Sequence, residues 1–200
     1  AITRKWFDVK TVEVVRSVEA RGWHTDEQLV RLAGAPTGSV LRVSVQDQGK
    51  VQLLVENEFL LDEPMVRYIV QEPSGYAFHI VNHTFAIKAA HIGGGIGSRS
   101  VSIEIVPAAK LGYFNRIRVF AVGDEASCLS ARPLIGYIMW PKMGFDADLP
   151  DDLRHHPHLP SDLAGAGRIA DLISTKAGQV FWRKYGSSIW LDFDLKQDSN

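Results

Sequence analysis

A glycine-dense turn after a long apolar segment constrains this chain more than any other sequence feature. Residues 76–87 have the length and pattern of a strand, and a short connection then leads to Gly93, Gly94, Gly95, one isoleucine and Gly97. Glycine lacks a Cβ, so its backbone approaches a ligand closely and adopts positive φ at little cost. Where such a turn opens a helix, free N–H groups and the helix dipole favour an anion. The run therefore predicts a phosphate-binding turn, with an ordinary surface loop as the alternative.

Two common phosphate motifs do not fit this run. A nucleotide P-loop ends in Gly-Lys-Ser or Gly-Lys-Thr, and this run does not. A dinucleotide-binding turn belongs to a parallel βαβ unit. The preceding segments instead alternate apolar and polar residues and are joined by short turns. Residues 39–45, 51–56 and 65–71 are therefore predicted to be antiparallel strands.

Composition sets broad limits on function. The 200 residues are 46% hydrophobic, which is enough for one domain with a core. The formal net charge is −1 with both signs interspersed, so we expect no nucleic-acid partner and no membrane-surface partner. No apolar run is long enough to cross a bilayer, and no signal peptide is recognised. The single cysteine, Cys128, leaves no internal disulfide and favours a cytoplasmic location.

The rest of the chain is predicted to contain both helices and strands. Residues 2–7 are predicted to be a short first strand, after which Asp8 caps a helix with a stripe of valines. Thr25 and Gln28 form a capping-box pattern for a second helix, which ends at Gly34. Later elements are predicted as a strand at 116–122, helices at 133–140 and 161–173, a helix between Thr175 and Gly186, a strand at 188–195, and an exposed connection at 146–160.

The segment directly after the glycines, residues 100–105, supports two opposite interpretations. It alternates and is rich in β-branched residues, which is typical of a strand, and Pro107 would disturb a helix interior. However, Val101 and Ile105 fall on one helical face, and Gly112 can end a helix. The local pattern leaves both helix and strand open.

The glycine run resembles the pyrophosphate loop Q/R-x-x-G-x-G/A of the GNAT superfamily of acyl-CoA-dependent N-acyltransferases. Gly95 and Gly97 match the two glycine positions, and Ile92 replaces the polar first residue. The resemblance requires a helix after Gly97. It implies that backbone amides cradle the pyrophosphate, although one side-chain partner is lost.

A second stretch, residues 137–145, resembles the family motif A-x-x-L-Y-x-K-x-G-F. Lys142, Gly144 and Phe145 align with it, and Trp140 stands where the family often has its tyrosine. The resemblance implies an α/β (α+β) fold with a GNAT-like mixed, mostly antiparallel central sheet flanked by helices. It also implies one GNAT-like domain over residues 1–200, with an inserted loop and helices at about 146–186.

The activity implied by the resemblance is acyl transfer from acetyl-CoA or another acyl-CoA to a small-molecule or peptide amine. Tyr137 is the implied acid that returns a proton to the thiolate, and His79, His83 and Glu56 are candidate bases. The implied cofactor-binding residues are Phe85, Ile87, Gly93, Gly94, Gly95, Gly97 and Ser98.

The sequence leaves a second function open beside acyl transfer. Ile92 and Trp140 favour a non-catalytic GNAT-like module for binding or assembly. Whether the chain forms a homodimer stays open. The histidines at 155, 156 and 158 do not have the spacing of a zinc site, so we expect no metal.

Overall fold

A computed structural model describes residues 6–130 and 133–196 of the chain. The strands are β1 (Glu13–Arg16), β2 (Val40–Val45), β3 (Val51–Glu56), β4 (Met65–Gln71), β5 (Phe78–Thr84), β6 (Phe114–Ala121) and β7 (Ile189–Asp194). Over the described residues they form a seven-stranded sheet in the order β1-β2-β3-β4-β5-β6-β7. β1 and β2 are parallel, whereas β2–β3, β3–β4 and β4–β5 are antiparallel. The predicted mixed, mostly antiparallel sheet flanked by helices is confirmed.

The chain divides into two compact units. The first unit extends to Ile117 and includes Leu195, and the second unit is Arg118–Asp194. The first unit contains the helices α1 (Asp26–Ala33) and α2 (Ile96–Leu111). The helices of the second unit are α3 (Glu125–Cys128), α4 (Gly136–Lys142), α5 (Asp151–Arg154), α6 (Ile169–Ile173) and α7 (Lys176–Tyr185).

The core of the first unit lies between α1, α2 and one face of the sheet. Alternate residues of each strand point into it, as the two-residue period of a half-buried sheet requires. The strands contribute Leu41, Val43, Leu53, Val55, Met65, Ile69 and Ile80, and the helices contribute Leu29, Leu32, Val101 and Ala108.

Helix α1 begins and ends as its sequence predicts. The Thr25 hydroxyl accepts from the Gln28 N–H at 3.2 Å, and the Gln28 side chain accepts from the Thr25 N–H at 2.9 Å. This reciprocal pair is the predicted capping box. Gly34 ends the helix with a φ of 55°, in the left-handed region that favours glycine.

The predicted helix after Asp8 is wrong. Asp8 caps a short 3-10 turn, Val9–Thr11, and the chain then continues as β1. The valines here are β-branched and suit an extended backbone, and β1 gains a full parallel ladder with β2. The preceding strand predicted at 2–7 falls mostly outside the described residues.

The strand predicted at 76–87 is shorter than expected. β5 covers Phe78–Thr84, and Tyr76 is 92% exposed in the turn before it. The backbone at 86–88 leaves β4 and bonds instead to the loop after β3. The Asp62 N–H donates to the Ala86 carbonyl at 3.1 Å, and the Lys88 N–H donates to the Leu60 carbonyl at 3.0 Å.

Helix α2 settles the conflict at residues 100–105 in favour of the helix. Ser100, Val101, Glu104 and Ala108 are all buried, which is the three-to-four residue period of a helix face. The segment forms a helix despite its strand-like alternation, because Ser100 and Glu104 reach buried polar partners only when both lie on the same face of a helix. Local propensity could not include those partners.

The second unit departs from prediction mainly at helix boundaries. α4 starts three residues later than the predicted start at 133 and includes Pro141, and the helix predicted at 161–173 is a 3-10 turn, Ser161–Leu163, followed by α6. The connection at 146–160 contains α5 and buries Leu149 and Leu153, so it is not simply an exposed loop. α7 is capped by Thr175 and closed by Gly186, as predicted.

Candidate functional site

The glycine turn lies directly before helix α2 in the first unit. Gly93 and Gly95 have φ values of 82° and 74°, and Gly95 is the N-cap of the helix. The first intrahelical bond runs from the Arg99 N–H to the Gly95 carbonyl at 3.1 Å. The N–H groups of Ile96, Gly97 and Ser98 therefore precede the helical ladder and have no intrahelical acceptor. This is the arrangement that suits an anion.

Gly97 lies in close contact with the segment that follows β5. A Cβ built on Gly97 would stand 3.3 Å from Ile87 Cδ1 and 3.7 Å from Phe85 Cε1. The absence of a side chain thus lets the first turn of α2 pack against these two residues. The structure brings together Phe85, Ile87 and the glycine turn, which are the residues that the resemblance assigned to the cofactor.

The backbone of Ile87 faces away from the loop after β3. Ile87 and Leu61 form an isolated antiparallel bridge whose hydrogen bonds are made by the flanking residues. In such a pair, the peptide groups of the central residue point to the opposite side. The N–H and C=O of Ile87 are therefore oriented as a strand edge, which the amides of a pantetheine arm could pair with.

Two side chains modify the charge and polarity of the turn. Ile92 is 60% exposed and supplies no polar group where the family motif has Gln or Arg. Arg99 is exposed in the first turn of α2 and was not singled out from the sequence. A guanidinium at this position suits a phosphate. The position of Arg99 shortly after the last glycine is the sequence signal by which this residue could have been identified.

The candidate bases lie at different distances from the glycine turn. His83 is exposed near the C-terminal end of β5, and its Nδ1 is 3.0 Å from Thr84 Oγ1. His79 lies near the other end of β5, six residues before Phe85, which corresponds to roughly 20 Å of extended chain. Glu56 ends β3, two strands from β5, and its carboxylate accepts from the Arg42 Nε at 2.8 Å.

His79 has a carboxylate partner that the sequence did not reveal. Its Nδ1 is 3.1 Å from Glu72 Oε1, and the same oxygen accepts from the Arg116 guanidinium at 3.0 Å. The Glu72 and His79 side chains are only 15% and 14% exposed. No spacing rule links a turn residue to a strand residue across a hairpin, so this pair required the fold.

Tyr137 lies in the second unit and is fully buried. Its hydroxyl donates to the Arg183 carbonyl at 2.7 Å, and the Cys128 thiol lies 3.5 Å from the hydroxyl oxygen. Burial, followed by the hydrogen bond with Cys128, raises the pKa of Tyr137 above its ordinary value. The role of this tyrosine as an acid stays a prediction, and the Arg183 bond would have to be exchanged during such a step.

A buried polar network supports α2 behind the glycine turn. Arg67 on β4 and Glu104 on α2 lie 2.9 Å apart, and Asn82 on β5 donates to Glu104 at 3.1 Å. Ser100 donates to the Gly34 carbonyl at 2.8 Å and accepts from Arg67 at 3.2 Å. Burial raises the pKa of Glu104 to about 7, although Arg67 and Asn82 oppose that rise.

Two further observations concern the described residues as a whole. Residues 6–130 and 133–196 contain no group of three or more His, Cys, Asp or Glu side chains arranged to hold a metal ion. None of the helices in these ranges has the length and apolar character needed to span a bilayer.

Comparisons with known proteins add a structural likeness. No family model matches the chain, and no curated protein matches it. A solved structure, the crystal structure of the loading GNATL domain of CurA from Lyngbya majuscula, covers 72% of this chain and 76% of its own chain. The two are 11% identical and superpose with a TM-score of 0.34. Agreement at this level carries no argument about activity, so a function has to rest on the residues of this chain.

Proposed function

We propose that the chain is a GNAT-like acyltransferase that moves an acyl group from acetyl-CoA or another acyl-CoA to an amine. The observation that carries the proposal is the glycine turn of Gly93–Gly97 at the start of α2, packed against Phe85 and Ile87. The turn offers consecutive amides to an anion, and the adjacent segment offers a strand edge. A pyrophosphate joined to an amide-bearing arm fits this pair of features.

Each part of the donor has a candidate partner in the first unit. The amides of Ile96, Gly97 and Ser98 suit the pyrophosphate, and Arg99 suits a phosphate oxygen. The peptide groups of Ile87 suit the pantetheine arm. Bound acyl-CoA supplies an activated acyl thioester, and the chain supplies orientation and proton transfer.

His83 is the candidate base that the geometry favours. In the tautomer whose Nδ1–H donates to Thr84 Oγ1, Nε2 of the imidazole is a proton acceptor. An attacking amine forms its bond to the acyl carbon as the carbon–sulfur bond breaks, and the amine proton passes to His83. A neutral imidazole accepts a proton through such a nitrogen, which is the role of a general base.

Ligand-dependent stability tests the proposal. At about a hundred times its dissociation constant, acetyl-CoA should stabilise the native state by roughly 2.7 kcal/mol. For a chain of this size, that corresponds to a rise in Tm of about 5–10 °C. Gly97→Glu should abolish the rise, because it puts a carboxylate and a side chain among the amides. Gly165→Glu is the matched control, since a Cβ at Gly165 meets nothing within 4 Å.

The same measurement separates the two candidate functions. A rise with acetyl-CoA or a longer acyl-CoA that is lost only in Gly97→Glu supports the acyltransferase. Unmoved melting curves with every acyl-CoA would reject it and leave the non-catalytic GNAT-like module, which Ile92 at the first motif position favours. Unfolding of Gly97→Glu without ligand shows whether that variant still folds.

A further inference from the structure

An open pocket in the first unit has aromatic walls and carboxylates around its rim. It has a volume of about 1120 Å³ and lies where β3 ends and the chain turns towards β4. The lining residues that matter here are Trp6, Glu58, Phe59, Asp62, Glu63 and Lys88. None of them belongs to the glycine turn.

The aromatic side chains alone make the pocket suitable for a cation. The rings of Trp6 and Phe59 are stacked, with centroids 6.0 Å apart and planes inclined by 19°. Phe59 is 63% exposed, and the His91 ring lies 4.9 Å from it. The face of an aromatic ring attracts an ammonium group within about 6 Å of its centroid. A large exposed ring fixed beside another ring therefore offers a cation-binding face.

The charges around the pocket act in the same direction. Glu56, Glu58, Asp62 and Glu63 line it, while Arg42 pairs with Glu56 at 2.8 Å. Among the described residues that line the pocket, Lys88 carries the positive charge, and its ammonium donates to the Glu58 carbonyl. Setting Arg42 and Lys88 against the four carboxylates leaves two net negative charges among these described residues.

Hydrogen bonds of Asn57 fix the loop after β3, which carries Glu58, Phe59, Asp62 and Glu63. The buried Asn57 amide donates to the Thr37 carbonyl at 3.1 Å and to Ser39 Oγ at 2.9 Å. Its oxygen accepts from the N–H groups of Phe59 and Leu60, at 3.2 and 2.9 Å. A pocket fixed in this way loses little conformational entropy when a ligand binds.

The pocket is also joined to the segment that leads into the glycine turn. Asp62 and Leu60 are hydrogen bonded to the backbone at 86 and 88, as described above. A ligand in the pocket therefore lies against one side of the 86–88 segment, whose other side carries the Ile87 peptide groups that we assign to the acyl-CoA arm.

We propose that this pocket binds an alkylammonium group of the acceptor, so that the acceptor is a diamine or a longer polyamine. This inference rests on the proposed acyl transfer, because only that reaction requires an amine acceptor. The attacking amine must be neutral, whereas carboxylates and aromatic faces favour the protonated form. The pocket therefore holds a second, charged amine and leaves the other to react.

Binding of cations that need no acyl donor tests the pocket by itself. Calorimetry at low ionic strength compares 1,4-diaminobutane and tetramethylammonium with the uncharged isostere 1,4-butanediol. Both cations should bind, the diol should not, and the affinity should fall as salt is added. Phe59→Leu keeps an apolar side chain without a ring and should weaken binding about fivefold, as should Glu58→Gln combined with Asp62→Asn. Asp47→Asn, at the other end of the β2–β3 hairpin, should not change the affinity.

The outcomes keep the pocket and the proposed function apart. Equal binding of cation and diol, or unchanged cation binding by Phe59→Leu, would overturn the cation site. Melting curves with acetyl-CoA, recorded on the same proteins, report separately on the glycine turn. Cation binding without an acetyl-CoA response keeps the cation site and rejects the acyltransferase, whereas the reverse result keeps the acyltransferase and rejects the cation site.

Discussion

Arg67 and Glu104 form an ion pair 2.9 Å apart whose side chains are 1% and 0% exposed. Arg67 also donates to the Leu32 carbonyl at the end of α1, at 3.0 Å. One guanidinium therefore joins β4, α1 and α2. Because α2 starts at the glycine turn, this pair holds in place the helix to which we assign the anion site.

Breaking the pair from one side should be costly. At pH 8, above the Glu104 pKa of about 7, Arg67→Met leaves a buried carboxylate without its partner, and loss of one member of a buried pair typically costs about 3–5 kcal/mol. Glu104→Gln should also destabilise, and the double variant should cost clearly less than the two singles together. Urea unfolding of the four proteins measures this coupling.

An exposed pair provides the control for that cycle. Arg31 and Glu27 lie four residues apart on α1 with side chains 47% and 64% exposed. Their coupling should be about 0.2–0.5 kcal/mol. Additive losses at Arg67 and Glu104 would contradict the view that the two act as one unit.

The buried carboxyl should also make stability depend on pH. The pKa of Glu104 is raised from 4.5 to about 7 in the folded chain, so the folded state holds a proton that the unfolded state has released. The free energy of unfolding should therefore fall as pH rises from about 4.5 to 7. Glu104→Gln cannot titrate, so the difference in stability between wild type and this variant isolates the effect. A difference that stays constant between pH 5 and 8 would contradict the raised pKa.

Local signals predicted some elements of this fold better than others. The capping box at Thr25, the β2–β3 hairpin and the capped helix α7 were correct because their causes lie within a few residues. The helix predicted after Asp8 was wrong because the valines in this segment suit an extended backbone that pairs with β2. Helix α2 stayed ambiguous because Ser100 and Glu104 need partners that only the folded chain supplies.

The candidate site divides in the same way. Phe85, Ile87 and the glycines could be grouped from sequence, since they are close along the chain. Phe59 beside Trp6 could not be grouped, because that contact joins distant segments. Glu72 beside His79 could not be grouped either, because their contact depends on the register of the β4–β5 hairpin.

His83→Gln should lower turnover by about 10²-fold or more, the usual scale for a positioned base, with little change in acyl-CoA affinity. Glutamine keeps a hydrogen-bonding side chain but cannot take the amine proton. Steady-state kinetics with a validated acceptor measure the effect, and His155→Gln in the second unit is the control. If the His83→Gln variant turns over at the wild-type rate at pH 7, His83 is not the base. A wild-type rate only at high pH is compatible with His83 as the base, because the amine is then deprotonated in solution.

Tyr137→Phe separates a catalytic from a structural tyrosine. If Tyr137 returns a proton to the thiolate, turnover should fall about 10²-fold. Loss of its bond to the Arg183 carbonyl should by itself cost about 0.5–1.5 kcal/mol of stability. Cys128→Ala removes the neighbouring thiol but keeps the hydroxyl, so it serves as the control. Unchanged turnover together with lower stability would give the residue a purely structural role.

Gly34→Ala should be among the more destabilising single changes in the first unit. A Cβ at Gly34 would stand 2.5 Å from the Ser100 carbonyl oxygen and 2.6 Å from Ser100 Oγ. The backbone there has a φ of 55°, which costs an alanine about 1 kcal/mol even without a clash. Gly38→Ala is the matched control, because its φ is 73° and a Cβ there meets nothing within 4 Å. Urea unfolding should show a loss near 1 kcal/mol for Gly38→Ala and a loss larger by about 1–3 kcal/mol for Gly34→Ala, the usual cost of overpacking. Equal losses would mean that α1 and α2 separate easily at Ser100, and that the buried network does not hold the glycine helix in place.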